Sequence, residues 1–149
     1  MIILGIDPGY AILGYGVLES KPGQRPKPVD YGVIETAADE PFPQRLDKLY
    51  LGVRQLISLY KPEQVAFEEL FFYRNVTTAL QVGAGRGVAL LAAQQAGLPL
   101  YEYTPMQIFS IFLCPAAGPG RRCAWPGPPR RVPARTRSGG GPAGGPAAV

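Results

Sequence analysis

The chain has 149 residues, a formal charge of +4, two cysteines and no histidine. That length allows one domain with a single core. No apolar run nears the ~18 residues that span a membrane, and Met1 leads straight into the strand-like IILGI with no signal peptide before it, so a soluble, cytoplasmic protein without membrane association is expected.

The overall charge is misleading. Residues 1–107 hold all 11 acidic side chains but only nine of the 15 basic ones, and the remainder supplies six arginines and no acid. A basic average usually points to nucleic acid; here it is a property of the C-terminal stretch. Cys114 and Cys123 lie in that same stretch and make neither a disulfide framework nor a zinc site. Without histidine, any metal must sit mainly on carboxylates, which favours magnesium or manganese over zinc.

In chain order, residues 2–6 form a short apolar strand ending at Asp7, and the Asp-Pro-Gly that follows turns the chain into a second strand over 12–18 (ILGYGVL). The exposed loop ESKPGQRPKPV leads to a third strand over 30–36. Three strands with tight connections pair antiparallel. A helix follows, with Pro43 in its first turn and Leu46, Leu49, Tyr50, Val53, Ile57 and Tyr60 on one face, and Pro62 stops it. QVAFEEL is a fourth strand, in which Val65 and Phe67 alternate with Ala66 and Glu68.

A long helix then begins near Thr77 or Thr78 and ends at Gly97. Gly83 and Gly87 within it cost helix stability unless something packs closely against that face. PLYEY is a fifth strand, and Thr104, Pro105 and Gln107 open another helix with a capping box. The order β-β-β-α-β-α-β-α predicts an α/β fold: a five-stranded mixed sheet flanked by helices on both faces.

Pro115 is expected to stop that last helix before it gets going. Beyond it nearly every residue is glycine, proline, alanine or arginine, types whose codons can be read from G and C alone. Such a stretch builds no core and is expected to be disordered. A GC-rich gene read in the wrong frame gives this composition; the alternative is a genuine arginine-bearing tail that clings to DNA. The frame error is favoured because the tail interrupts a helix that has just been capped. The domain division is therefore 1–107 for the folded unit, C-terminally incomplete, and 108–149 for the tail.

Asp7 and Glu68 are the candidate catalytic and metal-binding residues. If the first and fourth strands are neighbours, both carboxylates reach one edge of the sheet, where they repel unless one protonates or a cation sits between them. The plain alternatives are a turn-forming aspartate and a solvated strand-edge glutamate. Glu69 points to the other face and is the bystander. After Glu68, LFFYRNVTT interleaves Phe71, Phe72 and Tyr73 with Arg74 and Asn75, a pattern suited to stacking on bases and gripping phosphates. Against that, two of the three aromatics fit as core residues capping the next helix. Arg86, on that helix, is open between a DNA contact and a solvated side chain.

Together, ILGIDPGYAILGYGV, VAFEELFFYRN and GAGRGVALLAA followed by YEYTPMQ resemble, in order and spacing, the bacterial RuvC Holliday-junction resolvases over about residues 1–107. The resemblance implies a ribonuclease-H-like fold, a homodimer, four-way junction DNA as substrate, a branch-migration motor complex as a further partner, and magnesium-dependent cutting of two opposed strands with two ions per active site. By position, Asp7 and Glu68 match two of the family's acidic metal ligands and Phe71 its base-wedging aromatic, with Tyr73, Arg74 and Asn75 in the adjoining DNA-contacting loop. The family continues with a lysine-bearing helix and a final helix carrying further acidic ligands. Here no aspartate follows Asp47 and no glutamate follows Glu102, so this chain as written is expected to be inactive or nearly so. The rivals are an actin-like kinase relative, which also uses a GIDxG turn on phosphate, a non-cleaving junction-binding protein, and a ribonuclease-H-like nuclease acting on RNA.

Overall fold

The structure is a computed structural model describing residues 1–70, 76–112 and 130–131. Its elements are β1 (Ile2–Asp7), β2 (Ile12–Glu19), β3 (Lys27–Glu35), α1 (Phe42–Tyr60), β4 (Gln64–Glu68), α2 (Val76–Gln95), β5 (Leu100–Tyr103), α3 (Pro105–Phe112) and β6 (Arg130–Arg131). The sheet order is β3-β2-β1-β4-β5-β6. β1, β2 and β3 pair antiparallel, while β1 with β4 and β4 with β5 are parallel. The five expected strands are present, with β1 and β4 side by side.

Period-two alternation assigns the faces. Leu4 and Ile6 of β1, Leu13 and Val17 of β2, Val65 and Phe67 of β4 and Leu100 of β5 share one face, and all are buried. Against them pack Leu49, Val53 and Leu56 of α1 and Ala89, Ala92 and Ala93 of α2. The small residues of α2 let it approach α1 and the sheet closely. Its Gly85 is the tight point: a Cβ there would meet Leu49 Cδ1 at 3.3 Å and Gly9 O at 3.5 Å. Gly83 and Gly87 behave differently from the sequence expectation, since nothing lies within 4 Å of a Cβ at either position.

On the other face the β2–β3 end is open: Ile12, Leu18 and Val33 are 56%, 39% and 53% exposed and Tyr31 is 81% exposed, so α1 and α2 both pack on the first face.

Local signals explain the element ends. α1 begins with Pro43 in its first turn and ends at Lys61 in the left-handed region; Gly97, with φ 70°, closes α2. At α3 the Thr104 N–H donates to Gln107 Oε1 at 2.8 Å and the Gln107 N–H donates to Thr104 Oγ1 at 3.2 Å, the reciprocal capping box. α3 runs for eight residues, so it does form, and it crosses the expected 107/108 boundary. β3 starts at Lys27, earlier than expected, because Pro28 pairs with Leu18 past a register shift between Val17 and Leu18. The tail expectation is corrected at one point: Arg130 and Arg131 pair antiparallel with Glu102 and Tyr101. Residues 113–129 and 132–149, with both cysteines, lie outside the described residues.

Candidate active site

β1 ends in a turn that only glycine can make. The Gly9 N–H donates to Asp7 O at 3.0 Å, and a Cβ on Gly9 would stand 1.8 Å from Ile12 O. This clash-free closure sends the chain straight back as β2 and leaves Asp7 as the last residue of β1. Pro8 is fully buried, anchoring the turn, while Asp7 itself is exposed.

The parallel register of β1 and β4 pairs Ile6 with Phe67. One residue further on, Asp7 and Glu68 therefore leave the same sheet face at the ends of two neighbouring strands, whose spacing is about 4.8 Å. Burial pushes the Glu68 carboxyl above the ordinary value, and the charge of Asp7 raises it further. Burial and a neighbouring carboxylate both disfavour the charged form, as expected of two acids sharing one site. Gly14 pairs with Asp7 across β2; a Cβ there would lie 3.5 Å from Asp7 Cβ and 3.9 Å from its Oδ2, so glycine keeps that flank of the carboxylate clear. On the other side β4 pairs Glu68 with Tyr103 of β5. Burial raises the Tyr103 phenol, so a neutral aromatic borders the acidic pair. Sequence reading passed over both Gly14 and Tyr103, because their relevance depends on strand register.

The donor set tests which cation fits. Two hard oxygen donors on one face suit magnesium or manganese. Among the described residues no group of three or more histidine, cysteine, aspartate or glutamate side chains could hold a metal ion. Among the described residues the site is thus two-sided.

Arg86 is on the far side of the sheet from these acids. Its Nη2 pairs with Glu102 Oε1, and the two side chains are 21% and 18% exposed. Glu102 pairs with Phe67 on the helix-covered face. Burial lowers the Arg86 pKa while Glu69 raises it, so Glu69 and Glu102 both act on this one guanidinium. Its Nε is buried and lacks a hydrogen-bond partner. Beside the choice posed by the sequence, DNA contact or solvated cation, the structure places Arg86 in an ion pair with Glu102. Glu69 does face away from Asp7, as expected, and its charge has a use there. Phe71, Phe72, Tyr73, Arg74 and Asn75, the expected DNA-contacting group, lie outside the described residues, immediately between β4 and α2.

The family profile described as Crossover junction endodeoxyribonuclease RuvC matches residues 3–116. The Crossover junction endodeoxyribonuclease RuvC of Desulfitobacterium hafniense is 57% identical over 108 residues, covering 72% of this chain and 65% of that protein. The Brevibacillus brevis protein of the same name is 52% identical, covering 72% and 64%. The chain therefore spans less than two thirds of the length of these relatives.

Among solved structures, T. thermophilus RuvC in complex with Holliday junction substrate superposes with a TM-score of 0.68 at 37% identity, covering 72% of this chain and 68% of that one. The yeast mitochondrial Holliday junction resolvase Ydc2 shares the fold, with a TM-score of 0.55 at 17% identity, covering 72% and 54%. The fold is ribonuclease-H-like, and the chain belongs to the RuvC family of crossover junction endodeoxyribonucleases.

Proposed function

We propose that this protein is a structure-selective endonuclease for four-way DNA junctions, cutting by divalent-metal-dependent phosphodiester hydrolysis. The observation that carries the reading is the convergence of Asp7 and Glu68 at the ends of adjacent strands, with Glu68 raised by its neighbour's charge. Support for the substrate comes from the family and from the junction bound to the T. thermophilus relative.

Asp7 and Glu68 would hold the magnesium or manganese, which when bound supplies charge to activate water and to neutralise the leaving oxygen. The residues of the chain do the rest. Asp7, exposed at the strand end, presents its carboxylate toward the incoming phosphodiester. Glu68, partly withdrawn and raised, gains its charged form when a cation joins it. Gly14 leaves space beside Asp7, and the Tyr103 ring limits solvent on the side of β5. Phe71, Phe72, Tyr73, Arg74 and Asn75 follow Glu68 in the chain after Glu69 and Leu70, and we assign them the stacking and phosphate contacts of a junction whose bases already part easily.

Two active sites related by a two-fold axis suit a four-way junction, and α2 has a surface for the second copy. Leu80 and Leu91 are 71% and 49% exposed, and Gly83 and Gly87, between them on the same helical stripe, are open. We propose that two α2 helices pack through this stripe. A branch-migration motor complex is the outside partner carried with the family, and the compartment proposed is the cytoplasm; no helix among the described residues is long and apolar enough to cross a membrane.

A second reading is favoured by the two-sided site: with two carboxylates alone, the chain as written binds junctions and cuts weakly or not at all. Incubation of the purified chain with a synthetic four-way junction and with a linear duplex, in magnesium or in EDTA, tests both. Paired magnesium-dependent nicks in the junction establish the nuclease. Selective binding that is indifferent to EDTA, without nicks, establishes the non-cleaving binder. Equal affinity for junction and duplex refutes both.

A further inference from the structure

Arg45 is a cation that the motif reading passed over, and two side chains fix it at the same end of the sheet as Asp7 and Glu68. Its Nε donates to Thr36 Oγ1 at 2.9 Å, and its Cζ stands 3.8 Å above the centroid of the Tyr10 ring. Both supports are themselves held. Thr36 is buried and donates to Tyr10 O at 2.9 Å, while its N–H donates to Ala11 O at 2.9 Å. The Tyr10 ring is buried and leans on Phe42 at 5.5 Å. One hydrogen bond and one aromatic face thus set the plane of a half-buried guanidinium.

That plane has no anion. Among the described residues Arg45 makes no ion pair, whereas Lys21, Lys48 and Arg86 each have a carboxylate. The first turn of α1 also carries no acidic side chain. Thr36 and the Tyr10 ring engage the Nε and one face of the guanidinium, and the remaining Nη donors form the fork that matches a phosphate in two parallel hydrogen bonds.

Topology places this fork at the same end of the sheet as the acids. Thr36 follows the last residue of β3, and Glu35 pairs with Ile12 at the start of β2. Tyr10 lies in the turn that begins at Asp7. Arg45, Asp7 and Glu68 therefore share one end of the sheet, with Arg45 on the helix side. We propose that Arg45 is a preorganised phosphate clamp, gripping a backbone phosphodiester of the same DNA whose cleaved phosphate is offered to Asp7 and Glu68. The proposal rests on the nuclease reading above.

Titrating the full chain into a labelled four-way junction in EDTA, across a salt series, tests it without requiring cleavage. Arg45→Gln is expected to weaken binding roughly ten-fold and to lower the log–log salt slope by about one. Arg45→Lys keeps the charge, so the slope stays while affinity falls by a smaller factor through loss of the planar fork. A purely structural role moves the melting temperature and leaves the slope untouched. If Arg45→Gln does not fold, wild-type affinity in Arg45→Lys overturns the clamp. So does an unchanged slope in a folded Arg45→Gln while the parent chain binds junctions. Failure of the parent chain to bind any DNA instead overturns the nuclease reading, and the clamp with it.

Discussion

Glu68 has a raised pKa because it is partly buried and because Asp7 ends the neighbouring strand on the same sheet face. The sign of the pH dependence follows. A carboxyl whose folded pKa lies above its unfolded one binds more protons in the native state, so without metal its contribution falls as pH rises from the ordinary carboxylate range through the raised value. Glu68→Gln is expected to flatten this part of the stability–pH profile, and Asp7→Asn to move the Glu68 midpoint down. Chemical denaturation between pH 4 and pH 8, or carboxyl titration by NMR, reads both. A Glu68 midpoint unmoved by Asp7→Asn shows that the two groups do not interact.

The ion pair beneath the sheet should behave as a stability element. Breaking a fully buried pair costs ~3–5 kcal/mol. Here about a fifth of each side chain is exposed, so Glu102→Gln is expected to cost on the order of 2 kcal/mol. Arg86→Met should cost more, because it leaves both Glu69 and Glu102 without their shared cation. Neither change should alter junction affinity per folded molecule. A large affinity loss at constant melting temperature would return Arg86 to the DNA interface.

Gly9 and Gly16 give a matched pair. Alanine at Gly9 forces its Cβ into Ile12 O, and the backbone shift is expected to cost ~1–3 kcal/mol and to displace Asp7. Alanine at Gly16 meets nothing within 4 Å and should stay within about 0.5 kcal/mol of the parent. Urea denaturation of the two variants compares them directly. Equal stability would mean that the turn relaxes freely and does not fix Asp7.

A second carboxylate network ties the sheet edge to α1. Asp30 accepts hydrogen bonds from Tyr15 and Tyr60. The bond to Asp30 raises the Tyr60 phenol to about 12, and the hydrogen bond from Tyr60 is the main influence lowering the Asp30 carboxyl. The phenol's contribution is fully present below pH 10 and is lost as pH rises toward 12. The Asp30 contribution is present above the ordinary carboxylate range and is lost as pH falls below it. Tyr60→Phe is expected to remove the alkaline loss and to bring the acid transition of Asp30 closer to its ordinary value. Absorbance titration of the tyrosines checks the first part; retention of the high-pH ionisation in Tyr60→Phe would assign it to another phenol.

The α2 stripe makes a prediction about assembly. Leu80→Glu with Leu91→Glu is expected to leave the fold intact, since both positions are exposed, and to convert dimer to monomer in sedimentation analysis. A parent chain that is monomeric at all concentrations removes this interface.

Legibility in the sequence followed the range of the interactions. The capping box at Thr104 and Gln107, the Pro43 start and Gly97 end of helices, and the alternation of Val65 and Phe67 are local, and each appears in the structure as read. The meeting of Asp7 and Glu68 needed one long-range inference, that β1 lies beside β4, and element order supplied it. What escaped was set by side-chain partners far away in sequence. Nothing near Arg86 announces Glu102, and nothing near Arg45 announces Thr36 and Tyr10. The role of Gly85 was hidden because Gly83 and Gly87 have the more conspicuous spacing, while only the packing of α2 on the Gly9–Tyr10 turn reveals which glycine is needed.

Asp7 and Glu68 are proposed to share one divalent cation. Isothermal titration of manganese into the metal-free chain, with Asp7→Asn and Glu68→Gln alongside, tests it most directly. The expected result is one saturable site in the parent, a matching rise in melting temperature, tighter binding as pH climbs through the raised Glu68 value, and loss of the site in either variant. Undiminished manganese binding in both variants would place the ion elsewhere and leave these two carboxylates without a hydrolytic role.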